Sequence, residues 1–123
     1  MSSRLALSIG AVVAVIFGLA LTFIPQTLLS GFGIGIPTEP LVYVYSRDLG
    51  VTLVGLGIIN WLARNEMGAA VRALLVGNAF IQAAEIVANG WEIAAGVLPM
   101  AAVGGVVLHL ILGVIFVLPL RRA

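Results

Sequence analysis

Four long apolar runs constrain the fold of this chain more than any other feature. They cover about residues 5–24, 41–63, 69–88 and 100–118. A helix rises 1.5 Å per residue, so about 20 apolar residues cross the hydrocarbon core of a bilayer, and each run has that length. Short connections use up most of the remaining chain. The runs therefore predict a single domain, residues 1–123, that is an all-α polytopic membrane protein with four transmembrane helices.

Composition excludes several other classes of protein. The chain is 62% hydrophobic and 9% charged, whereas soluble domains are about half apolar and about a quarter charged. The net charge is only +1 and the only basic cluster is Arg121 with Arg122, which provides no electrostatic footprint for nucleic acid. Cysteine is absent, which excludes disulfides and thiolate metal sites.

The connections predict how the helices follow one another. Residues 25–40 form the longest connection, whose glycines and prolines prevent a continuous helix, and its apolar side chains suit the membrane interface. Residues 64–68 form a tight turn, so we expect the second and third helices to be adjacent and antiparallel. The third connection, residues 89–99, carries Trp91, a side chain suited to the headgroup level.

Arginine predicts the orientation, because positive charge is retained on the cytoplasmic side of a membrane. One side of the predicted bundle holds Arg4, Arg64, Arg72, Arg121 and Arg122. Only Arg47 belongs near the other side. We therefore expect an antiparallel four-helix transmembrane bundle with its N and C termini in the cytoplasm.

Small residues predict the helix contacts, because helices in lipid associate through close backbone approach and interhelical hydrogen bonds. Every fourth position of the first helix is small, and each of the other helices also carries small residues. The first helix has Ala6, Gly10, Ala14, Gly18 and Thr22; the second has Gly50, Gly55 and Gly57; the third has Ala73, Gly77 and Ala84; the fourth has Gly105 and Gly113.

Polar residues inside the apolar runs are the candidate site, because a charge near the bilayer centre costs at least about 2.5 kcal/mol and usually faces the bundle interior. Asn78, Gln82, Glu85 and Asn89 share one narrow face of the third helix. Counting 1.5 Å per residue places Arg47 and Asp48 of the second helix at a similar depth. The predicted outer polar cluster comprises Arg47, Asp48, Gln82 and Glu85, with Thr52 one turn from Asp48.

The outer polar cluster has two interpretations. Two carboxylates and one guanidinium in a low dielectric would require one carboxyl to stay protonated, or a cation or cationic ligand group to complete the cluster. Alternatively, Arg47 pairs with one acid, the other acid reaches interfacial water, and the cluster only fastens two helices.

His109 falls near the midplane together with Asn78. One interpretation is a hydrogen bond between them, or from His109 to a backbone carbonyl. The other makes His109 a proton carrier or an axial haem ligand, although a six-coordinate haem would need a ligand from elsewhere. Asn60 lies near the inner end on another face, where we expect a hydrogen bond or a subunit contact. With one histidine and no cysteine we expect neither a metal centre nor a cofactor.

The sequence has no motif for catalysis. A Walker loop, a zinc-binding helix, a nucleophile elbow and a dinucleotide fingerprint are all absent from it. Only Ser46 or Thr52 beside Asp48 could serve as a nucleophile with a base. We therefore expect that the protein is not an enzyme.

The placement of glycine, proline and arginine resembles a known group. The residues that carry the likeness are Pro25, Leu28, Leu29, Phe32, Gly33, Ile34, Pro37, Arg47, Gly50, the Gly55-Leu56-Gly57 step, Gly77-Asn78 and His109. Over nearly the whole chain this pattern resembles the small four-helix bacterial membrane proteins of the DoxX-like kind, including related domains of unknown function. The resemblance implies a four-helix bundle in a bacterial inner membrane and, for DoxX itself, association with a quinone-linked sulfur-oxidising system. Small multidrug transporters are similar in size, but they rely on a glutamate in the first helix, which here contains no acid.

Two functions remain open from the sequence. The first is a structural or accessory membrane protein, either a subunit of a larger complex or a homo-oligomer, with an internal polar cluster. The alternative is a binding or transport protein for a lipid-like, quinone-like or amphipathic molecule in an outward-facing pocket near Arg47, Asp48 and Glu85. The expected partners are the bilayer, other membrane subunits and a lipid or quinone, and no nucleic acid.

Overall fold

The computed structural model describes residues 1–121. Arg122, which the sequence assigns to the cytoplasmic end, lies outside the described residues, as does Ala123. The described part is helical and has no strands. Its helices are α1 (Ser3–Phe23), α2 (Pro25–Gly31), α3 (Pro40–Ala63), α4 (Ala69–Ala94), a short 3-10 helix (Met100–Ala102) and α5 (Val103–Leu120).

Four of these segments are long and apolar enough to span a membrane: Ser3–Phe23, Pro40–Ala63, Ala69–Ala94 and Met100–Leu120. Their large apolar side chains point outward far more often than in a soluble protein. Leu62, Phe80 and Val87, for example, are 70%, 71% and 72% exposed. Such an apolar surface suits the hydrocarbon core of a bilayer. Helices also satisfy their own backbone hydrogen bonds there. The predicted all-α fold, with four helices long and apolar enough to span a membrane, is confirmed for the described residues.

The connection at residues 25–40 begins with a helix that the sequence analysis did not predict. The ring of Pro25 fixes φ near the helical value, and proline at the first helical position loses no intrahelical bond, so Pro25 can open α2 directly after α1 ends. α2 ends at Gly31, and Gly33 then adopts a φ of 73° that side chains rarely tolerate. Pro40 opens α3 in the same way as Pro25 opens α2.

Helix α4 continues past the predicted end near residue 88 to Ala94. One glycine inside a helix costs only about 1 kcal/mol, so Gly90 does not break it. The helix ends where Gly96 takes a φ of 74° and donates its backbone N–H to the carbonyl of Ile93. A glycine with positive φ just after the last turn is a common helix stop.

The helices associate mainly as two pairs, α1 with α3 and α4 with α5. The expectation that α3 and α4 would be neighbours is therefore corrected, because the principal neighbour of α3 is α1. A Cβ atom built on Gly50 would lie 2.6 Å from the carbonyl oxygen of Gly18, and one built on Gly57 would lie 2.9 Å from that of Ala11. Only glycine permits this backbone approach, and it holds α3 against α1.

The small residues of α1 are buried as predicted, including Ala6, Gly10, Ala14 and Gly18. Gly10 accommodates the ring of Phe116 from α5, so the stripe also contacts the second helix pair. The apolar core that joins the pairs consists of Ala6, Leu7, Val71, Leu75, Leu112 and Phe116.

Other predicted contact residues face away from the rest of the chain. Ala73 and Ala84 are exposed, and a Cβ atom on Gly55 or Gly77 would meet no neighbour within 4 Å. The prediction that these four residues make contacts between helices of the same chain is wrong. Gly50 and Gly57 alone supply the close approach that α3 makes to α1, so Gly55 lies on another face.

Candidate functional site

The polar side chains inside the bundle form three hydrogen-bonded pairs, which we call the polar layer. Its members are Asn60, Asn78, Gln82, Glu85, Asn89 and His109. α3 supplies one member, α4 supplies four and α5 supplies His109. The polar layer is thus built largely from one face of α4, the face that the sequence predicts to look inward.

Asn60 and Asn78 form a reciprocal amide pair. The amide nitrogen of Asn60 donates to the Asn78 oxygen at 3.0 Å, and the amide nitrogen of Asn78 donates to the Asn60 oxygen at 2.9 Å. Asn78 also donates to the carbonyl of Leu74 at 2.8 Å. The two residues are 0% and 3% exposed. This pair connects α3 to α4 and therefore one helix pair to the other.

His109 and Gln82 form the second pair, between α5 and α4. The Nδ1 of His109 lies 2.7 Å from the Oε1 of Gln82. With the proton on Nδ1, the imidazole donates and the amide oxygen accepts. Gln82 is buried and His109 is half-buried. A Cβ atom on Gly113, one turn after His109, would lie 3.5 Å from the Cβ of Gln82, so glycine leaves room for the amide.

Glu85 and Asn89 form the third pair, within α4. The amide of Asn89 donates to the backbone carbonyl of Glu85 at 2.9 Å and to its carboxylate at 3.1 Å. The second and third pairs therefore use partners from α4 and α5 alone.

Arg47, Asp48 and Thr52 lie on exposed positions of α3. Asp48 and Thr52 are each two residues from Gly50, which at 100° per residue places them about 160° around the helix from it. Since Gly50 faces α1, these side chains point away from the bundle. The hydroxyl of Thr52 donates to the backbone carbonyl of Asp48 at 2.9 Å, which is a bond within the helix.

The structure does not bring the four residues of the predicted outer polar cluster together. Gln82 and Glu85 are hydrogen-bonded to His109 and Asn89, while Arg47 and Asp48 face outward. The physical reason is the pairing of α3 with α1, because this contact fixes the rotation of α3 and leaves both Arg47 and Asp48 exposed. The expected hydrogen bond between His109 and Asn78 is likewise corrected, because each has a different amide partner.

The predicted site omits two members of the polar layer, Asn89, which was expected on the inward face of α4, and Asn60. Counted from the connecting turn, Asn60 lies about 4.5 Å along α3 from Ala63, whereas Asn78 lies about 13.5 Å along α4 from Ala69. A prediction that pairs residues equally far from the connecting turn therefore does not match Asn60 with Asn78. The only feature of the sequence that marks Asn60 is its residue type, an amide within an apolar run.

The chemistry available to the polar layer is hydrogen bonding, which joins different helices in two of its three pairs. Within residues 1–121, His, Asp and Glu side chains form no group of three or more that could hold a metal ion. The polar layer carries one imidazole and one carboxylate. The imidazole of His109 is hydrogen-bonded to the amide of Gln82, and the carboxylate of Glu85 accepts a hydrogen bond from the amide of Asn89.

No family model, curated protein or solved structure matches this chain, so its own geometry and chemistry are what point to its function.

Proposed function

We propose that this chain is a structural or accessory membrane protein without enzymatic activity, which works as a homo-oligomer or as a subunit of a larger membrane assembly. The observation that carries the proposal is the exposure of Arg47 and Asp48 on a helix long and apolar enough to span a membrane. Charged groups on such a surface need a partner that the isolated chain does not provide.

The depth of the two charges makes this need concrete. α3 has 24 residues and is about 36 Å long. Arg47 and Asp48 lie about 10 and 12 Å from its start at Pro40. A long arginine side chain can reach the headgroups from there, but the short side chain of Asp48 cannot. A second helix against this face would shield the carboxylate from hydrocarbon.

The rest of the same surface has the composition of a helix contact. Residues spaced four, three, four and three apart form one stripe, which we call the outer face of α3. It consists of Asp48, Thr52, Gly55, Ile59 and Leu62. Four of the five are exposed, and Gly55 has open space beside it. Small and polar residues in such a stripe let another helix approach closely and hydrogen-bond.

A second copy of the chain fits this face by charge. In a two-fold symmetric contact each residue meets its counterpart in the other subunit reciprocally. Arg47 of one subunit could then pair with Asp48 of the other, and both charges would be compensated. The internal polar layer is already hydrogen-bonded, so its role in the proposal is to fix the helices that present the outer face of α3.

The alternative function, binding or transport of a quinone-like or amphipathic molecule near Arg47, Asp48 and Glu85, has less support. Glu85 accepts a hydrogen bond from Asn89, and Gln82 bonds to His109. These bonds are made within α4 and between α4 and α5, whereas Arg47 and Asp48 are exposed on α3, so the residues of the predicted pocket are not brought together.

We also propose that the protein lies in a bacterial inner membrane with both termini in the cytoplasm, and that it is DoxX-like. Arg4, Arg64 and Arg72 line one cavity and hence share one end of the bundle, which supports this orientation by the preference of positive charge for the cytoplasmic side. The DoxX-like assignment rests on the glycine, proline and arginine placement in the sequence.

Charge reversal tests the proposed oligomer. Arg47→Asp and Asp48→Arg should each reduce the fraction of dimer in lipid bilayers, measured by single-molecule photobleaching, because like charges then oppose each other. The double reversal should restore the dimer, and so should mixing the two single variants. Glu39→Arg, a reversal just before α3, should leave the dimer unchanged.

Wild-type protein that stays monomeric at every protein-to-lipid ratio would contradict the homo-oligomer. A photo-crosslinker placed at Thr52 would then decide the remaining form of the proposal in cells. Crosslinks to another membrane protein would support an accessory subunit, and crosslinks to lipid alone would overturn both forms.

A further inference from the structure

A cavity of about 710 Å³ lies at one end of the bundle, apart from the residues of the polar layer. It is formed by the start of α1, the turn at residues 64–68 and the first turns of α4. Sites for small molecules commonly have volumes of about 300–1,000 Å³. The cavity is therefore large enough for a molecule.

Its lining is strongly basic. Three arginines line it, Arg4, Arg64 and Arg72, and Glu66 is the single acid among the lining residues, which leaves an excess of positive charge. Arg64 is held in place, because its guanidinium lies 3.8 Å above the ring of Trp61 and donates to the Trp61 carbonyl. A guanidinium has five N–H donors, so Arg64 keeps donors for an anion.

The backbone adds positive potential at the same place. Gly68 and Ala69, where the 26-residue helix α4 starts, line the cavity. Gly68 offers no side chain to cap the helix, and the first turn contains no acid. The free N–H groups and the positive end of the helix dipole are therefore at this end of the cavity, an arrangement that favours phosphate.

Apolar side chains complete the lining. Val71 and Leu75 continue from the basic residues into the apolar core of the bundle. A ligand suited to both surfaces carries an anionic group next to hydrocarbon. Arginine binds phosphate through two parallel hydrogen bonds, which makes it the preferred residue for such a group.

We propose that this cavity binds the phosphate headgroup of an anionic phospholipid, with the phosphate between Arg64, Arg72 and the start of α4. The acyl chains leave the cavity past Met67, which is 89% exposed, and continue over the apolar outer surface of the helices. The cavity is at the end of spanning helices, where headgroups are concentrated, and basic pockets on the cytoplasmic side of transmembrane helices bind anionic lipids. This site does not depend on the outer face of α3 or on the proposed oligomer.

Lipid binding can be followed with the protein reconstituted in nanodiscs of phosphatidylcholine, with or without phosphatidylglycerol. In a Trp91→Phe background the fluorescence of Trp61 reports on the cavity, because Arg64 stacks on that ring. Phosphatidylglycerol should change this fluorescence, and native mass spectrometry should find it retained in preference to phosphatidylcholine.

Arg72→Gln should weaken retention of phosphatidylglycerol about tenfold, as expected for loss of a charge-assisted hydrogen bond. Arg121→Gln is the matched control, since Arg121 is also exposed but lies outside this cavity. It should leave retention unchanged. If Arg72→Gln does not fold, as judged by its helical circular dichroism, Arg4→Gln takes its place.

Equal weakening by the Arg121 control would overturn the proposal, because general charge attraction would then explain binding. An equal response of Trp61 to inorganic phosphate would overturn the lipid assignment in favour of a free anion. Unchanged retention in an Arg4→Gln, Arg64→Gln and Arg72→Gln triple variant would remove the site altogether.

Discussion

The two helix pairs of this protein are held together by different chemistry. α1 and α3 meet through glycine at backbone distance, with Gly50 against Gly18 and Gly57 against Ala11. α4 and α5 are instead linked by a side-chain hydrogen bond between Gln82 and His109. The hydrophobic effect does not draw helices together inside lipid, so close approach and hydrogen bonding are the forces left. Close backbone approach thus distinguishes the α1–α3 pair, and a side-chain hydrogen bond distinguishes the α4–α5 pair.

The contact between the pairs uses both kinds of chemistry. Phe116 of α5 fills the space above Gly10 of α1, and Asn60 of α3 forms its amide pair with Asn78 of α4. Because the two pairs differ in this way, steric changes should destabilise the α1–α3 pair most. Loss of polar groups should have smaller effects on stability elsewhere.

The largest effect is expected from Gly50→Leu. A Cβ atom there would lie 2.5 Å from the Thr22 hydroxyl and 2.6 Å from the Gly18 carbonyl, and backbone cannot move aside cheaply. The free energy of unfolding, measured by SDS titration in mixed micelles, should fall by about 3 kcal/mol. Gly55→Leu is the control on the same helix, because open space surrounds Gly55. Equal losses in both variants would show that helix propensity, and not the contact with α1, governs this pair.

An intermediate effect is expected from Asn60→Leu, which leaves the buried amide oxygen of Asn78 without its partner. The free energy of unfolding should fall by about 1.5 kcal/mol, near the upper end for polar contacts in membranes. Adding Asn78→Leu should cost less than its own single effect, because both polar groups are then gone. Strictly additive losses would mean that the amide pair does not couple the two helix pairs.

The smallest effect is expected from the α4–α5 pair. A double-mutant cycle of His109→Leu and Gln82→Leu should give a coupling free energy of about 0.6 kcal/mol, the average for such bonds in membranes. The same SDS titration measures it. A coupling larger than the loss in Gly50→Leu would reverse the comparison between the two pairs.

The sequence predicts the spanning helices because apolar length depends on composition alone. It also predicts the buried stripe of α1, since small residues at every fourth position leave one face that can be approached closely. It does not predict which helix fills that face, because all four spanning helices carry small residues. Gly50 and Gly55 look equivalent in the sequence, yet only Gly50 contacts α1.

The prediction of the outer polar cluster depended on which face of α3 contacts another helix, and the sequence does not show that face. Once Gly50 faces α1, the helical rotation of about 160° places Asp48 on the outside, whatever its depth. The inward polar face of α4 follows from spacing alone, whereas its partners Asn60 and His109 depend on how neighbouring helices are shifted along their axes. Rotation and shift are properties of helix contacts, and a single apolar run contains little information about them.

The pairing of α1 with α3 also bears on how a ribosome would deliver this chain to the membrane. By the time Ala63 has left the translocon, the first helix pair has both of its members, and the Gly18–Gly50 contact can form before α4 is synthesised. At that stage the side-chain amide of Asn60 lies in the membrane without its hydrogen-bond partner, because Asn78 belongs to α4. The arrival of Asn78 relieves that cost, so the amide pair would capture the second half of the nascent protein as it enters the bilayer.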